Sequence, residues 1–252
     1  MARTKNLSGT DLDAVKAWED HSQRIEYKNT IRIDDISIKV KCLNEKQKEL
    51  KKAIEEKEIT IAIGPAGTGK TYLSLITALH LLKSQPQYRK IVLIKSVTTI
   101  KGEELGFLPG TLQEKMEPYM WSYTGNLNKI FGDRYTSKKM MESGVITIEP
   151  IAYVRGNTMD NSIVIIDETQ NIDMHTFKTI ITRIGKNSKM IFLGDIEQID
   201  RKANDSCLAN VFKMFSEEEF VGTIQFENAD CVRNEIIPKI LEVLNRNEEK
   251  VA

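Results

Sequence analysis

The sequence predicts an α/β fold: one domain built on a parallel sheet covered by helices on both faces. Two observations carry this expectation. From Val40 onward, short apolar runs alternate with amphipathic stretches. That alternation is the sequence form of strands joined by crossover helices, and unbroken apolar runs mark strands buried on both sides. In addition, Gly64-Pro65-Ala66-Gly67-Thr68-Gly69-Lys70-Thr71 matches the Walker A pattern G-x-x-x-x-G-K-[ST] in full. It follows an apolar run and precedes a helix-like stretch, the setting in which this pattern forms a phosphate-binding loop.

The elements follow in order. Residues 1–38 are polar and mixed in charge, with Trp18, Ile25, Tyr27, Ile31 and Ile33 scattered among them. They read as an N-terminal arm that docks on a domain spanning 39–252. Leu43, Gln47, Leu50 and Ile54 share one face of a helix over about 43–57, and Ile59–Ile63 is the first strand. The next helix covers about 70–83, and Ile91–Ile94 is a strand. The stretch from Lys95 to Gly110 is long, polar and contains several glycines, which marks a functional loop. Helices over about 111–130, 174–185, 205–215 and 234–246 alternate with strands Val145–Ile148, Ile163–Ile166, Met190–Leu193 and Val221–Phe226.

Composition narrows the function. With 252 residues the chain suits one large α/β domain or two small ones, and 36 basic residues balance 36 acidic ones. The total charge therefore favours no polyanionic partner, although a local patch still can. Cys42, Cys207 and Cys231 lie far apart with no C-x-x-C pair, which argues against zinc and a disulfide framework and for buried free thiols. No secretory signal or membrane-length apolar run is seen, and the expectation is a cytoplasmic protein without a membrane partner.

The candidate site is assembled from strand ends. Gly64, Pro65, Ala66, Gly67, Thr68 and Gly69 would turn backbone N–H groups toward phosphate oxygens. Lys70 would reach the β- and γ-phosphates, and Thr71 would offer a hydroxyl to Mg²⁺. Ser162-Ile163-Val164-Ile165-Ile166-Asp167-Glu168 reads as a Walker B strand. Asp167 would hold the Mg²⁺ hydration shell, and Glu168 would orient or deprotonate the attacking water. Alternatively the pair caps the next turn. Gly194-Asp195-Ile196-Glu197-Gln198 ends another strand, and Gln198 is placed to sense the γ-phosphate or the water. Gln47 either pairs with adenine or closes a capping box with Asn44. Arg233 either clamps the γ-phosphate or pairs on the surface with Asp230 or Glu235. Guanine specificity is disfavoured because no N-K-x-D segment is present.

Seven segments in order resemble the PhoH family, whose core is similar to the first RecA-like domain of superfamily 1 helicases. They are Leu43-Asn44-x-x-Gln47, the Walker A loop, Gly102 to Lys115, Ala152-Tyr153-Val154-Arg155-Gly156, Asp167-Glu168-Thr169-Gln170-Asn171, Gly194-Asp195-x-x-Gln198 and Asp230-x-Val232-Arg233. The resemblance covers about residues 40–245 and implies a RecA-like P-loop NTPase. Gln47 then matches the adenine-reading Q motif, Gln198 the motif that links hydrolysis to nucleic acid, and Arg233 an arginine that contacts the γ-phosphate. It also implies a sheet in which the Gly194-Asp195 strand lies between the Walker A and Walker B strands. Many relatives carry Arg-Pro where this chain has Lys95-Ser96. Short members of this kind are common in bacteriophages, which makes a phage source an expectation.

These features imply an ATPase using ATP and Mg²⁺, coupled to single-stranded RNA or DNA as a helicase-like motor. Lys95, Ser96, Thr98, Thr99 and Lys101 either face a nucleic-acid backbone or form a solvated loop, with Phe107, Tyr119 and Trp121 the aromatics within reach. The alternative is an ATP-dependent assembly switch without nucleic acid. A P-loop kinase fits less well, because a water-activating Glu168 favours hydrolysis. A lone RecA-like domain lacks a second lobe over the nucleotide, so a closed ring is expected, hexameric as the RecA-like resemblance suggests. Arg155, Arg183 and Arg201 are candidates to act across its interface.

Overall fold

A computed structural model describes residues 32–96, 112–154, 156–198, 206–233, 236 and 240, without the side chains of 112–120, 152 and 153. Among the described residues, six parallel strands form one sheet. They are β1 (Ile59–Ile63), β2 (Lys90–Lys95), β3 (Ile146–Pro150), β4 (Ser162–Asp167), β5 (Lys189–Gly194) and β6 (Val221–Gln225). Their order is β3-β2-β4-β5-β1-β6. The strand ending in Gly194 thus lies between the Walker A and Walker B strands, as the RecA-like resemblance implies.

The helices are α1 (Glu45–Glu56), α2 (Lys70–Ser84), α3 (Leu112–Phe131), α4 (Arg134–Glu142), α5 (Met174–Ile181) and α6 (Leu208–Phe215). Alternate strand residues point to opposite faces and build two cores. Ala62, Leu93, Ile165 and Ile191 pack under α1 to α4, with Leu50, Leu79, Tyr123 and Met140. Ile61, Ile94, Val164 and Phe192 pack under α5 and α6, with Phe177, Leu208 and Val211. Helix α2 lies against both the sheet and its neighbours α1 and α3. That placement explains why it is apolar nearly all round, with Leu73, Leu75, Ile76, Ala78, Leu79, Leu81 and Leu82 buried. Each such side chain contributes roughly 1.5–3 kcal/mol by leaving water.

Side-chain caps start three helices. Asn44 accepts the Gln47 N–H at 2.8 Å, Asp133 the Thr136 N–H at 2.6 Å, and Asp173 the Thr176 N–H at 2.7 Å. Each satisfies a backbone donor that has no partner inside its helix.

The expected strands all form, with shifted ends. Strand β3 runs on to Pro150, which is tolerated because β3 is an edge strand. Helix α4 has no counterpart in the sequence reading. Its residues are mostly polar, and only Ser137 and Met140 are buried. Helix α5 stops at Ile181, four residues before its expected end, where the chain turns through Thr182 and Arg183. The expected arm over 1–38 and helix over 234–246 fall mostly outside the described residues. Within the arm, Ile33, Ile36 and Ile38 pack against the core. Lys83 Nζ donates to the carbonyls of Asp34 and Ile36 at 2.8 and 2.6 Å. Cys207 is a buried free thiol, and Cys42 and Cys231 are half-buried ones. Among the described residues no helix is long and apolar enough to cross a membrane.

Candidate nucleotide site

Parallel strands bring their C-terminal ends to one edge of the sheet, where open α/β sheets bind ligands. Ile63 pairs with Gly194, and Lys95 pairs with Asp167. The ends of β1, β2, β4 and β5 therefore meet.

The loop after β1 begins at Gly64, whose φ is +138°. A Cβ there would lie 2.5 Å from the Phe226 carbonyl oxygen and 2.6 Å from its Cβ. Only glycine fits both the dihedral and the approach of the chain beyond β6. Thr68 Oγ1 donates to the Pro65 carbonyl at 3.1 Å and closes the loop on itself. Helix α2 then starts at Lys70, directing its N-terminal dipole into the loop. The Lys70 ammonium donates to the carbonyls of Gly64 and Pro65 at 2.6 and 2.8 Å and to Thr68 Oγ1 at 3.2 Å. Burial lowers its pKa, and the negative charges of Asp195, Asp167 and Glu168 oppose that shift.

Thr71 Oγ1 donates to Asp167 Oδ2 at 3.1 Å. This bond joins the Walker A and Walker B segments directly. The other Asp167 oxygen accepts the Glu168 N–H at 3.0 Å. Burial, and then the neighbouring Glu168 charge, raise the Asp167 carboxyl to about 6, against the Glu168 N–H, Thr71 and Lys95. A hydroxyl and a carboxylate so close together are hard oxygen donors of the kind Mg²⁺ takes. Thr71 and Asp167 therefore fit that ion.

Glu168 leaves β4 with φ 57° and ψ 39°, a left-handed conformation uncommon for a residue other than glycine. Its carboxylate meets two side chains to which the sequence reading gave no role here. Gln170 Nε2 donates to Glu168 Oε2 at 2.8 Å. Lys95 Nζ lies 4.0 Å from Glu168 Oε1 and donates to Ser122 Oγ at 3.2 Å. Lys95 thus faces the site, and Ser96 is buried with its N–H on the Asp167 carbonyl. Gln170 stands in the quoted Walker B segment, and that position is the one signal that could have drawn attention to it. Thr98, Thr99, Lys101, Phe107, Arg155 and Arg201 lie outside the described residues, as does the Tyr119 side chain. Trp121 is exposed. Arg183 lies beyond α5 on the approach to β5, at the opposite end of the strands from the loop.

Gln47 is buried beneath the loop. Its Oε1 accepts the Leu43 N–H at 2.8 Å, and its Nε2 donates to the Thr68 carbonyl at 2.9 Å. The reciprocal capping bond thus goes one residue before Asn44, and the amide also steadies the phosphate loop. Asn44 Nδ2 donates to the Asp230 carbonyl at 3.2 Å, and Val232 N–H to the Gly67 carbonyl at 3.0 Å. These bonds bring Arg233 beside Gly67. Asp230 spends its carboxylate on the Glu227 N–H at 2.9 Å. A cavity of about 550 Å³ opens here, lined by Lys41, Leu43, Gln47, Gly69, Tyr72 and Arg233 among others. Gln198 is exposed in the turn after β5, with its N–H on the Asp195 carbonyl at 3.3 Å.

The sequence profile of the family described as PhoH-like protein matches residues 39–245. A PhoH-like protein of Bacillus subtilis (strain 168) is 40% identical over 211 residues, covering 83% of this chain and 65% of its own length. Protein PhoH of Escherichia coli (strain K12) is 36% identical over 200 residues, covering 79% and 56%. The chain thus spans less than two thirds of either relative. Among solved structures, the large terminase from a thermophilic bacteriophage aligns with a TM-score of 0.47 at 10% identity, over 80% of this chain and 50% of that one. A P-loop nucleotide fold, a profile match over most of the sequence and relatives this similar lead to one assignment: the chain belongs to the PhoH family.

Proposed function

We propose that the chain is a Mg²⁺-dependent ATPase that works as a homo-oligomeric ring, coupled to single-stranded RNA or DNA. The observation that carries the ATPase reading is the Thr71–Asp167 hydrogen bond, with the Glu168 carboxylate held beside it. The loop N–H groups and the α2 N-terminus would bind the β- and γ-phosphates. Lys70 would leave the loop carbonyls for the phosphate oxygens and offset charge there. Arg233, beside Gly67, would add a second cation. Thr71 and Asp167 would hold Mg²⁺, which would supply positive charge against the charge that develops during transfer. Glu168 would accept a proton from water as the water oxygen bonds to the γ-phosphorus. The bond from that phosphorus to the β–γ bridging oxygen breaks, and ADP and phosphate leave. Gln47, whose second Nε2 hydrogen remains for the cavity, would meet the base edge.

The ring reading is supported by exposed apolar side chains at the cavity, Leu43, Tyr72 and Val232, which a neighbouring subunit would cover. Coupling to nucleic acid is supported by the Gln198 turn beside the site and by the family's motif order.

Turnover assays with RNA and single-stranded DNA, alongside light scattering with and without ATP and Mg²⁺, test this function. ATP hydrolysis that Lys70→Ala abolishes is expected, with a strand-dependent increase in rate and a mass of several subunits. Full turnover by Lys70→Ala refutes the ATPase reading. A strict monomer refutes the ring. A rate indifferent to every strand leaves an assembly switch in place of a motor.

A further inference from the structure

The two oxygens of the Glu168 carboxylate have unlike neighbours. Oε1 faces Lys95 Nζ at 4.0 Å, too far for a fixed hydrogen bond. Oε2 accepts from Gln170 Nε2 at 2.8 Å, within strong hydrogen-bond range. Gln170 is itself only 1% exposed. Its Oε1 accepts the backbone N–H of Asp195 at 3.1 Å. The amide cannot be reversed, since the carboxylate needs a donor and the N–H needs an acceptor. A single rigid group therefore ties the carboxylate after β4 to the first peptide after β5.

That peptide opens the turn carrying Gln198. Asp195 is buried, its Oδ1 accepts the Glu197 N–H at 3.0 Å, and its carbonyl accepts the Gln198 N–H at 3.3 Å. The turn moves with Asp195 because Asp195 holds it at two points. Gln198 is exposed at its far side, where a ligand can reach it.

We infer that Gln170 is a positioning residue: it converts displacement of the Asp195–Gln198 turn into displacement of the Glu168 carboxylate. Contact at the turn would thereby set whether Glu168 is aligned with its water. The inference rests on the ATPase reading. It goes beyond it by assigning the link to a residue that touches neither phosphate nor strand.

Two variants break the link at Glu168. Gln170→Glu keeps an acceptor for the Asp195 N–H but loses the donor to Glu168. Gln170→Met loses both. Each is expected to lower kcat roughly ten- to a hundredfold, the worth of one hydrogen bond to a charged group. KM for ATP should stay within about twofold, since Lys70, Thr71 and Asp167 keep their contacts. In a Glu168→Gln background, Gln170→Met should lower the residual rate by less than about twofold, because Gln170 acts through that carboxylate. Equal losses in both backgrounds, or a higher KM with unchanged kcat, overturn the inference.

A readout independent of turnover uses the ¹H–¹⁵N spectrum of the metal-free protein. Glu168→Ala should shift both the Gln170 side-chain amide and the Asp195 backbone amide. An unmoved Asp195 amide overturns the link. If the wild type hydrolyses no ATP with any strand, the ATPase reading falls, and this spectrum alone decides whether the link exists.

Discussion

Replacing Gly64 by alanine tests whether the phosphate loop is shaped by its contact with the chain beyond β6. Two costs are expected. The dihedral, φ +138°, suits glycine almost alone, and forcing an L-residue into it costs roughly 1–3 kcal/mol. The new methyl would lie 2.5 Å from the Phe226 carbonyl oxygen. Phe226 is anchored by its N–H on the Ile63 carbonyl at 2.8 Å, so relief requires moving the β6 end. Overpacking of that kind adds about 1–3 kcal/mol. The control is Gly132→Ala. Gly132 also has a positive φ, +80°, but nothing lies within 4 Å of a Cβ built there. It should cost about 1–2 kcal/mol, from the backbone alone. Urea unfolding of both variants at equal m isolates the contact. Gly64→Ala is expected to lose about 2–6 kcal/mol, exceeding the control by roughly the overpacking share. If the two variants lose the same stability, the contact does not shape the loop.

Three further outcomes follow from the site. Thr71→Val keeps the branched shape but removes the hydroxyl, so nucleotide binding should lose its dependence on Mg²⁺ while binding in EDTA persists; calorimetry with and without the ion checks this. Glu168→Gln should bind ATP as the wild type does and stall hydrolysis, because an amide cannot take the water's proton; joint loss of affinity and turnover would make Glu168 a structural residue. In metal-free buffer the Asp167 carboxyl, raised from 3.8 to about 6, weakens the fold once it ionises. Its contribution to stability is greatest below the unfolded value and is lost as pH rises through about 6. Asp167→Asn should therefore raise Tm at pH 8 in EDTA, by an amount equivalent to at most about 3 kcal/mol, and the gain should vanish toward pH 4.

The sequence reading located what periodicity and motif spacing encode. Six strand-length runs, mostly apolar, announced a doubly covered sheet, and Gly64 to Thr71 announced the loop. Helix α4 escaped because its sequence, Arg134-Tyr135-Thr136-Ser137-Lys138-Lys139-Met140-Met141-Glu142, offers almost no apolar face. Its one legible sign was the capping Asp133. The neighbours of Glu168 escaped for another reason. Lys95 reaches Glu168 only because β2 and β4 pair in the register that sets Lys95 against Asp167. Gln170 reaches Asp195 only because β5 lies beside β4. Spacing along the chain says nothing of either. For Gln47, both sequence alternatives involved its amide. The structure adds the Thr68 carbonyl as a partner, visible only once the loop has folded back over α1.

The strand order also bears on how the molecule comes into being. Strands β2, β3 and β4 are made in sequence, and β2 pairs with both of the others. Strand β1 precedes them all, yet its partners are β5 and β6: residue 59 waits for residues 190 and 221. Such distant pairings carry the largest loop-closure cost and form slowly. A chain leaving the ribosome can therefore assemble β3-β2-β4 while β1 still exposes two unpaired edges, the condition in which strands aggregate. The phosphate loop takes shape in the last docking step, when the segment after β6 lies over Gly64 and Gly67. Nucleotide added to a refolding chain should accordingly leave the early phases unchanged and stabilise only the final product.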